Sequence, residues 1–361
     1  MLSHLEQIEQ VEKEIRETPY HKGTEHHIGK LRARLARLKD KIYDSSQKVR
    51  HGGGGGYSIK KQGDATIVLI GPPSAGKSTL INQLTNAESK VAPYAFTTVS
   101  VIPGMLKYQD AYIQILDVPG LLEGAKEGRG RGKEVISVAR GSDLLLIMTD
   151  VDRTSALNAL QQELEGAGIR INKTPPKVII KIDVAGGFSI HSNIRQEISE
   201  KTIKEVAFEF GIKNGEITIN EKLNMESLID SFSTSRVYLP AIFVINKIDT
   251  KKDNQIFPNK IDSAVTISAE SGVGIEQLLE VIWKKLSLIR VYLVRPDDEP
   301  SFNNPMVMKM GQSLKDLGEK IGTDFLNDKK AAKIWGMDAK FPGQEVSLST
   351  HLRDGMQVRF I

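Results

Sequence analysis

Apolar residues recur at three- and four-residue steps over the first fifty positions. Leu2, Leu5, Ile8, Val11 and Ile15 form one set, and Ile28, Leu31, Leu35, Leu38 and Ile42 form a second. That spacing predicts two amphipathic helices. Thr18-Pro19 and Gly23 break the pattern between them, so 1–50 reads as a helical hairpin. Five consecutive glycines, Gly52–Gly56, have no side chains to pack and predict a flexible joint.

Beyond the joint the stripes give way to short continuous apolar runs. Ala65–Ile70, Tyr112–Leu116, Leu144–Thr149, Ala241–Ile245 and Ala264–Ile267 read as strands, with helices over Lys77–Leu84 and Ile275–Leu286. Runs apolar on both faces, alternating with helices, predict an α/β fold with a parallel sheet covered on both sides. Residues 174–238 interrupt this series with elements of their own. Val178–Val184 and Glu216–Ile219 read as strands, Met225–Phe232 as a helix, and Thr202–Phe210 as a helix opened by a Thr202/Glu205 capping box. The last segment, 289–361, starts with strand-like Arg290–Val294 and ends with strand-like Gln357–Ile361, with a helix over Ser313–Ile321 between them. The expected layout is a hairpin over 1–50, a core in two parts (57–173 and 239–288), an α+β insert over 174–238 and a tail over 289–361. Trp283 and Trp335 read as core positions.

Composition narrows the function classes. The chain has 361 residues and no cysteine, which excludes a disulfide scaffold, a thiolate zinc site and a cysteine nucleophile. The longest apolar run, Leu144–Met148, is far below the roughly 20 residues that span a bilayer. Glu6, Glu9, Glu12 and Glu14 speak against a secretory leader. A cytoplasmic protein without a membrane partner is the expectation. The net charge is only +4, but residues 1–50 hold +3 of it. Within 29–50, eight basic residues stand against Asp40 and Asp44 alone. A solvated face and contact with nucleic-acid phosphates are the two readings of that helix.

The chemistry begins at Gly71-Pro72-Pro73-Ser74-Ala75-Gly76-Lys77-Ser78-Thr79, which follows a strand and opens a helix. In this context the pattern is a phosphate loop. Its backbone N–H groups would cradle phosphates, Lys77 would reach the β- and γ-phosphates, and the Ser78 hydroxyl would meet Mg²⁺. The loop itself does not separate ATP from GTP. Asn246-Lys247-Ile248-Asp249 makes that choice, because a carboxylate at Asp249 accepts both N1–H and N2–H of guanine, a donor pair that adenine lacks. Lys181-Ile182-Asp183 imitates the motif, but Ile180 stands where the Asn should be. Order adds weight. Asp117-Val118-Pro119-Gly120 falls between the two motifs, as a Walker-B-type carboxylate and a γ-phosphate sensor would. Thr97-Thr98 precedes it, where a switch threonine would close over Mg²⁺, and Ser268-Ala269 follows the last strand, where a backbone N–H can meet guanine O6.

The string DVPGLLEGAKEGRGRGKEVISVAR, residues 117–140, together with this layout, resembles the developmentally regulated GTP-binding proteins, a branch of the Obg-related translation-factor GTPases. The resemblance covers essentially the whole chain. It implies a Ras-like P-loop GTPase core, an insert like a ribosomal-protein α/β domain and a C-terminal TGS module, a ubiquitin-like β-grasp. It implies GTP and GDP as ligands held by Gly71–Thr79, Asp117, Gly120, Asn246, Lys247, Asp249, Ser268 and Ala269. Mg²⁺ would fall to Ser78 and Thr98, and the catalytic set would be Lys77, Thr98 and Gly120. It also implies an association with ribosomes and translation. Leu121 stands where Ras-type enzymes place a water-orienting Gln, so slow intrinsic hydrolysis is expected. Relatives lacking that Gln sometimes use K⁺ held by a phosphate-loop Asn; Ser74 here weakens the case for K⁺. A regulatory partner that orders residues 121–134 would complete the site; Arg129 and Arg131 read either as helpers or as part of a solvated basic loop. An Obg-like ATPase and a ribosome-bound scaffold with a structural nucleotide are the competing readings. Asp249→Asn should shift preference from guanine toward xanthine nucleotides, measured by competitive titration, because the C2 carbonyl of xanthine needs a donor.

Overall fold

The computed structural model describes residues 4–19, 21, 23–48, 62–85, 92–93, 100–118, 131–250 and 264–361. The expected joint at Gly52–Gly56 lies outside them. The chain begins with helices α1 (His4–Glu17) and α2 (Glu25–Lys48), strand β1 (Ala65–Ile70) and helix α3 (Lys77–Thr85). Strands β2 (Ala92–Pro93), β3 (Ser100–Tyr108) and β4 (Ala111–Asp117) follow, then α4 (Arg131–Arg140), β5 (Leu144–Asp150), α5 (Ser155–Gly166) and β6 (Ile169–Ile171). Next come β7 (Val178–Ile182), β8 (Phe188–Ser192), α6 (Glu200–Glu209), β9 (Gly215–Ile219), α7 (Met225–Phe232) and β10 (Val237–Leu239). The last elements are β11 (Ala241–Asn246), β12 (Val265–Thr266), α8 (Ile275–Leu286), β13 (Leu288–Leu293), β14 (Pro305–Lys309), α9 (Leu314–Ile321), β15 (Ala331–Trp335), β16 (Gln344–Ser347) and β17 (Gln357–Phe360).

These elements form two compact units, one from 1–57 with 163–238 and the other from 58–162 with 239–361. In the second unit a seven-stranded sheet runs in the order β12-β11-β5-β1-β4-β3-β2. Pairing is parallel from β12 to β4 and antiparallel at β3 and β2. Every residue of β1 and β5 is buried, as the uninterrupted sequences ATIVLI and LLLIMTD require of central strands. Ile67, Leu69, Leu80, Ile81, Ile113, Leu146, Leu278 and Ile282 pack into one core. Strand β3 is not legible in the pattern, because Pro103-Gly104 reads as a breaker. It forms because it pairs with β4 from Ile102 to Tyr108, while the described β2 reaches only Ser100 and Val101. A Cβ at Gly104 would lie 2.6 Å from Thr85 Cγ2 and 2.9 Å from Ile81 Cγ2, so glycine lets α3 approach the strand.

The tail is part of the same unit. Its mixed sheet, β14-β13-β17-β15-β16, packs Ile289, Val291, Ile334 and Val358 against Leu314 and Leu317 of α9. Two carboxylates join it to the larger sheet. Asp143 accepts from the Thr66 backbone N–H at 2.9 Å and from Lys309 Nζ at 2.7 Å. Asp64 accepts from the Tyr112 N–H at 2.9 Å and from Lys320 Nζ at 2.7 Å. Trp335 is not a core residue. Ala332 and Ile334 take the buried face of β15, and alternation leaves Trp335 half-buried on the other face beneath the Arg359 guanidinium, 5.3 Å from the ring centroid. Trp283 is partly buried, edge-on to Tyr108.

In the first unit α2 is buried on two sides. Leu31 and Leu38 meet Val11 of α1. A second face of small residues, Ala33 and Ala36, meets Ile203, Val206 and Leu228 of α6 and α7, with Gly29 against Met225 and Thr202. Below them lies a buried polar network. Asp40 accepts from Ser233 Oγ at 2.6 Å and from Arg236 at 3.3 Å; Arg236 donates to Asp230 at 2.7 Å, and Arg170 pairs with Asp230 through two nitrogens. Strand β9 is central in the order β7-β9-β8, antiparallel to β7 and parallel to β8.

Two expectations need correction here. Helix α6 is capped by Ser199, which accepts from the Thr202 N–H at 3.2 Å, not by a Thr202/Glu205 box. Thr202 is buried with its methyl toward α2, and Ser199 offers the capping oxygen one turn earlier. Strand β7 stops at Ile182, since Val184 is fully exposed and Gly186-Gly187 turn the chain with positive φ. Among the described residues no helix is long and apolar enough to cross a membrane. Asp230→Ala leaves Arg170 and Arg236 buried without their shared carboxylate. It should lower the unfolding free energy by about 3–5 kcal/mol, measured by chemical denaturation.

Candidate functional site

Parallel strands bring their carboxyl ends to one edge, where loops rather than side-chain layers meet. Gly71 follows β1, Asp117 ends β4, Asp150 ends β5, Asn246 ends β11 and Ser268 follows β12. Register fixes their relative heights: Leu69 pairs with Asp117, and Asn246 with Asp150.

Two glycines are sterically required in the first loop. A Cβ on Gly71 would lie 2.2 Å from the Met148 carbonyl oxygen, and one on Gly76 would lie 2.2 Å from Asn246 Nδ2. Gly76 also has φ +92°, a region that L side chains rarely adopt. Asn246, 2 % exposed, uses both ends of its amide. Nδ2 donates to the Ala75 carbonyl at 2.9 Å and Oδ1 accepts from the Ala269 N–H at 2.9 Å. One side chain therefore ties the 71–79 loop to the 268–269 loop. Pro73, Ser74, Ser78 and Thr79 are exposed along the rim of this loop, and Gly71, Pro72 and Ala75 are buried beneath it.

Lys77 is nearly buried, and its Nζ donates to the Gly71 and Pro72 carbonyls at 3.0 Å each. Ser78 Oγ donates to Asp117 Oδ2 at 2.9 Å, while Asp117 Oδ1 is buried without a hydrogen-bond partner. Burial pushes the Asp117 carboxyl above its ordinary pKa, opposed by the Lys77 charge and the Ser78 hydrogen bond. A hydroxyl beside a buried carboxylate with an unused oxygen is the hard oxygen set that suits Mg²⁺, through direct or water-bridged contact. Ser78 and Asp117 therefore fit the ion.

On the other side of the loop Asp249 lies exposed in a short 3-10 turn, Ile248–Thr250. Lys247 precedes it with φ 63°, and its Nζ lies 3.8 Å from Asp150 Oδ2. Ser268 is buried; its N–H donates to the Val273 carbonyl at 2.9 Å and its Oγ accepts from the Ser271 N–H at 3.1 Å. The two backbone donors at Ser268 and Ala269 are thus both engaged within the protein. A base carbonyl here would share the Ala269 N–H with Asn246 rather than find it unoccupied. Thr97, Thr98, Pro119, Gly120, Leu121 and Arg129 lie outside the described residues. Arg131 opens α4, but its side chain is not described.

Asp150 and Arg153 are the residues that motif reading missed. Arg153 donates to the Asp150 carboxylate through Nη2 at 2.6 Å and Nε at 3.1 Å. Burial acts to raise the Asp150 pKa, but the Arg153 hydrogen bond and the Arg153 and Lys247 charges outweigh it, holding the carboxyl below its ordinary range. The only signal in the sequence was an acidic residue closing an apolar strand, which gains meaning only from its register with Asn246.

Residues 66–209 match the family model described as a 50S ribosome-binding GTPase, and residues 185–288 the model for the C-terminal region of that domain. Residues 289–361 match the TGS domain. An uncharacterized GTP-binding protein of Methanocaldococcus jannaschii is 41 % identical, over 97 % of this chain and 90 % of its own. Ribosome-interacting GTPase 1 of Saccharomyces cerevisiae is 38 % identical over 98 % of both chains. Human developmentally-regulated GTP-binding protein 2 is 36 % identical over 96 % of this chain and 95 % of its own. Replacing Asn246 by Ala strands the Ala75 carbonyl and the Ala269 N–H. The change should lower stability by about 2 kcal/mol, read from urea unfolding of the full chain.

Proposed function

The chain belongs to the developmentally regulated GTP-binding proteins, GTPases with a C-terminal TGS domain, and from that premise we propose that it binds GTP and GDP with Mg²⁺ and hydrolyses GTP slowly, as a switch on ribosomes. The observation that carries this reading is the Asn246 clamp, which fastens the phosphate loop to the loops that would read the base. Exposed Asp249 is then available to guanine N1–H and N2–H.

Lys77 would exchange two backbone carbonyls for β- and γ-phosphate oxygens, a small rotation of a side chain already in place. Ser78 would turn its hydroxyl oxygen from Asp117 to Mg²⁺, and Asp117 would orient the surrounding water. Bound Mg²⁺ supplies charge neutralisation across the phosphates. Thr98 and Gly120 would close on the γ-phosphate, and hydrolysis would release them. Leu121 can neither accept a proton nor orient water, so turnover by the chain alone should be slow and completed by a partner that orders 121–134.

Contact with ribosomal RNA is proposed for the basic helix, with a further protein or RNA contact through the TGS domain. Between the two buried faces of α2 lies a stripe of Lys30, Arg34, Arg37 and Lys41, with no acidic residue at those positions. Its rungs climb about 5 Å at a time along the helix. Arg37 donates to the Glu209 carbonyl at 2.6 Å and therefore also supports packing; Lys30, Arg32, Arg34 and Lys41 are exposed, with Lys30 Nζ 4.0 Å from Glu209.

Titration with labelled nucleotides should give GTP binding and little ATP binding. Turnover should rise with ribosomes, in K⁺ and in Na⁺ alike; equal rates with and without ribosomes would remove the partner-completed site. Charge reversal at Arg32, Arg34 and Lys41 should lower ribosome cosedimentation and flatten its salt dependence, whereas unchanged cosedimentation would take the RNA role from this helix.

A further inference from the structure

Asp150 sits at the end of β5, in register with Asn246, and its side chain is 6 % exposed. The Val151 N–H donates to the Asn246 carbonyl at 3.2 Å, which locks the turn after β5 to the end of β11. Two cations face the buried carboxylate. Arg153 comes from its own turn, which is closed by an Arg153 N–H to Asp150 carbonyl bond and by Thr149 Oγ1 donating to the Arg153 carbonyl. Lys247 comes from the neighbouring loop with Nζ at 3.8 Å. Lys247 is also a non-glycine residue in the left-handed region, so its loop needs an outside hold to keep that conformation. The carboxylate provides one, since a charge at the end of a rigid central strand is fixed in position while the lysine stem is not.

We infer that Asp150 is a positioning residue for nucleotide recognition, acting through Lys247. It holds the ammonium at the strand end, so that the Lys247 stem and the adjoining Ile248–Thr250 turn, with Asp249, stand in one arrangement before the base arrives. Arg153 shares the carboxylate but has no part in the base-reading loop. This rests on the guanine-binding reading above.

The test is a double-mutant cycle on the full chain, with mant-GDP affinity and release rate as readouts. Asp150→Asn keeps the shape and removes the charge; it should weaken mant-GDP binding about tenfold, mainly through faster release. In a Lys247→Met background the same change should have less than about a twofold effect, because there is no ammonium left to hold. Arg153→Met should leave affinity within about twofold, since Lys247 then has the carboxylate to itself. Equal losses from Asp150→Asn in both backgrounds, or an Arg153→Met loss as large as that of Asp150→Asn, would assign Asp150 to the fold of its turn and overturn the inference. Thermal melts of each variant identify simple unfolding, and Arg153→Met remains informative if Asp150→Asn does not fold. If the unmodified chain fails to bind mant-GDP, the guanine reading falls and this inference with it; binding with an additive cycle sinks the inference alone.

Discussion

Asn246 has one amide group, and its two ends bond to two different loops. Because the side chain is buried, neither bond competes with water, and neither loop can shift without leaving a polar group unsatisfied. Much else follows from that constraint. Gly76 must be glycine because the amide occupies the space a Cβ would take. The loop from Gly71 to Thr79 is held at a fixed height over β5, which is where Lys77 and Ser78 must start for their side chains to face Asp117. The 268–269 loop is held by the same residue, and Asp150 stands beside Asn246 on the neighbouring strand. A parallel sheet makes this possible, since only parallel strands deliver five chain ends to one edge.

The other unit shows a different use of charge. Basic residues of α2 do not all have one role: Arg37 bonds to the backbone of α6, Lys39 lies 3.2 Å from Glu12 of the hairpin partner, and Arg32, Arg34 and Lys41 face solvent. Asp40 is consumed by the network with Ser233 and Arg236. Its charge is therefore taken up inside the unit instead of offsetting the exposed cations, which raises the net positive character of the outer stripe above what residue counting gives.

Much of this was legible along the chain because the signals are local. Continuous apolar runs gave β1, β5 and β11, three- and four-residue steps gave α1 and α2, and glycine spacing gave the tight 71–79 loop. The elements that were missed depend on partners far away in sequence. Strand β3 looks broken at Pro103-Gly104 until β4 supplies its hydrogen bonds and α3 needs the room. Ser199 displaces Thr202 as a cap because Thr202 is wanted in the contact with α2. Trp335 reads as core by its bulk, yet its place in the alternation of β15 puts it on the opposite face.

Sequence by itself marked the groups on which the proposed chemistry rests: a Lys-Ser pair after a glycine turn and an Asn-Lys-Ile-Asp carboxylate after an apolar strand. Residue type and spacing are sufficient to mark them, because each motif is contiguous in the chain. Only the tertiary structure decided how they are held. Asp150 beside Lys247, Asn246 between Ala75 and Ala269, and Asp143 and Asp64 joining the tail to the sheet are contacts across dozens to hundreds of residues. Register and burial set such contacts, and a one-dimensional pattern contains neither.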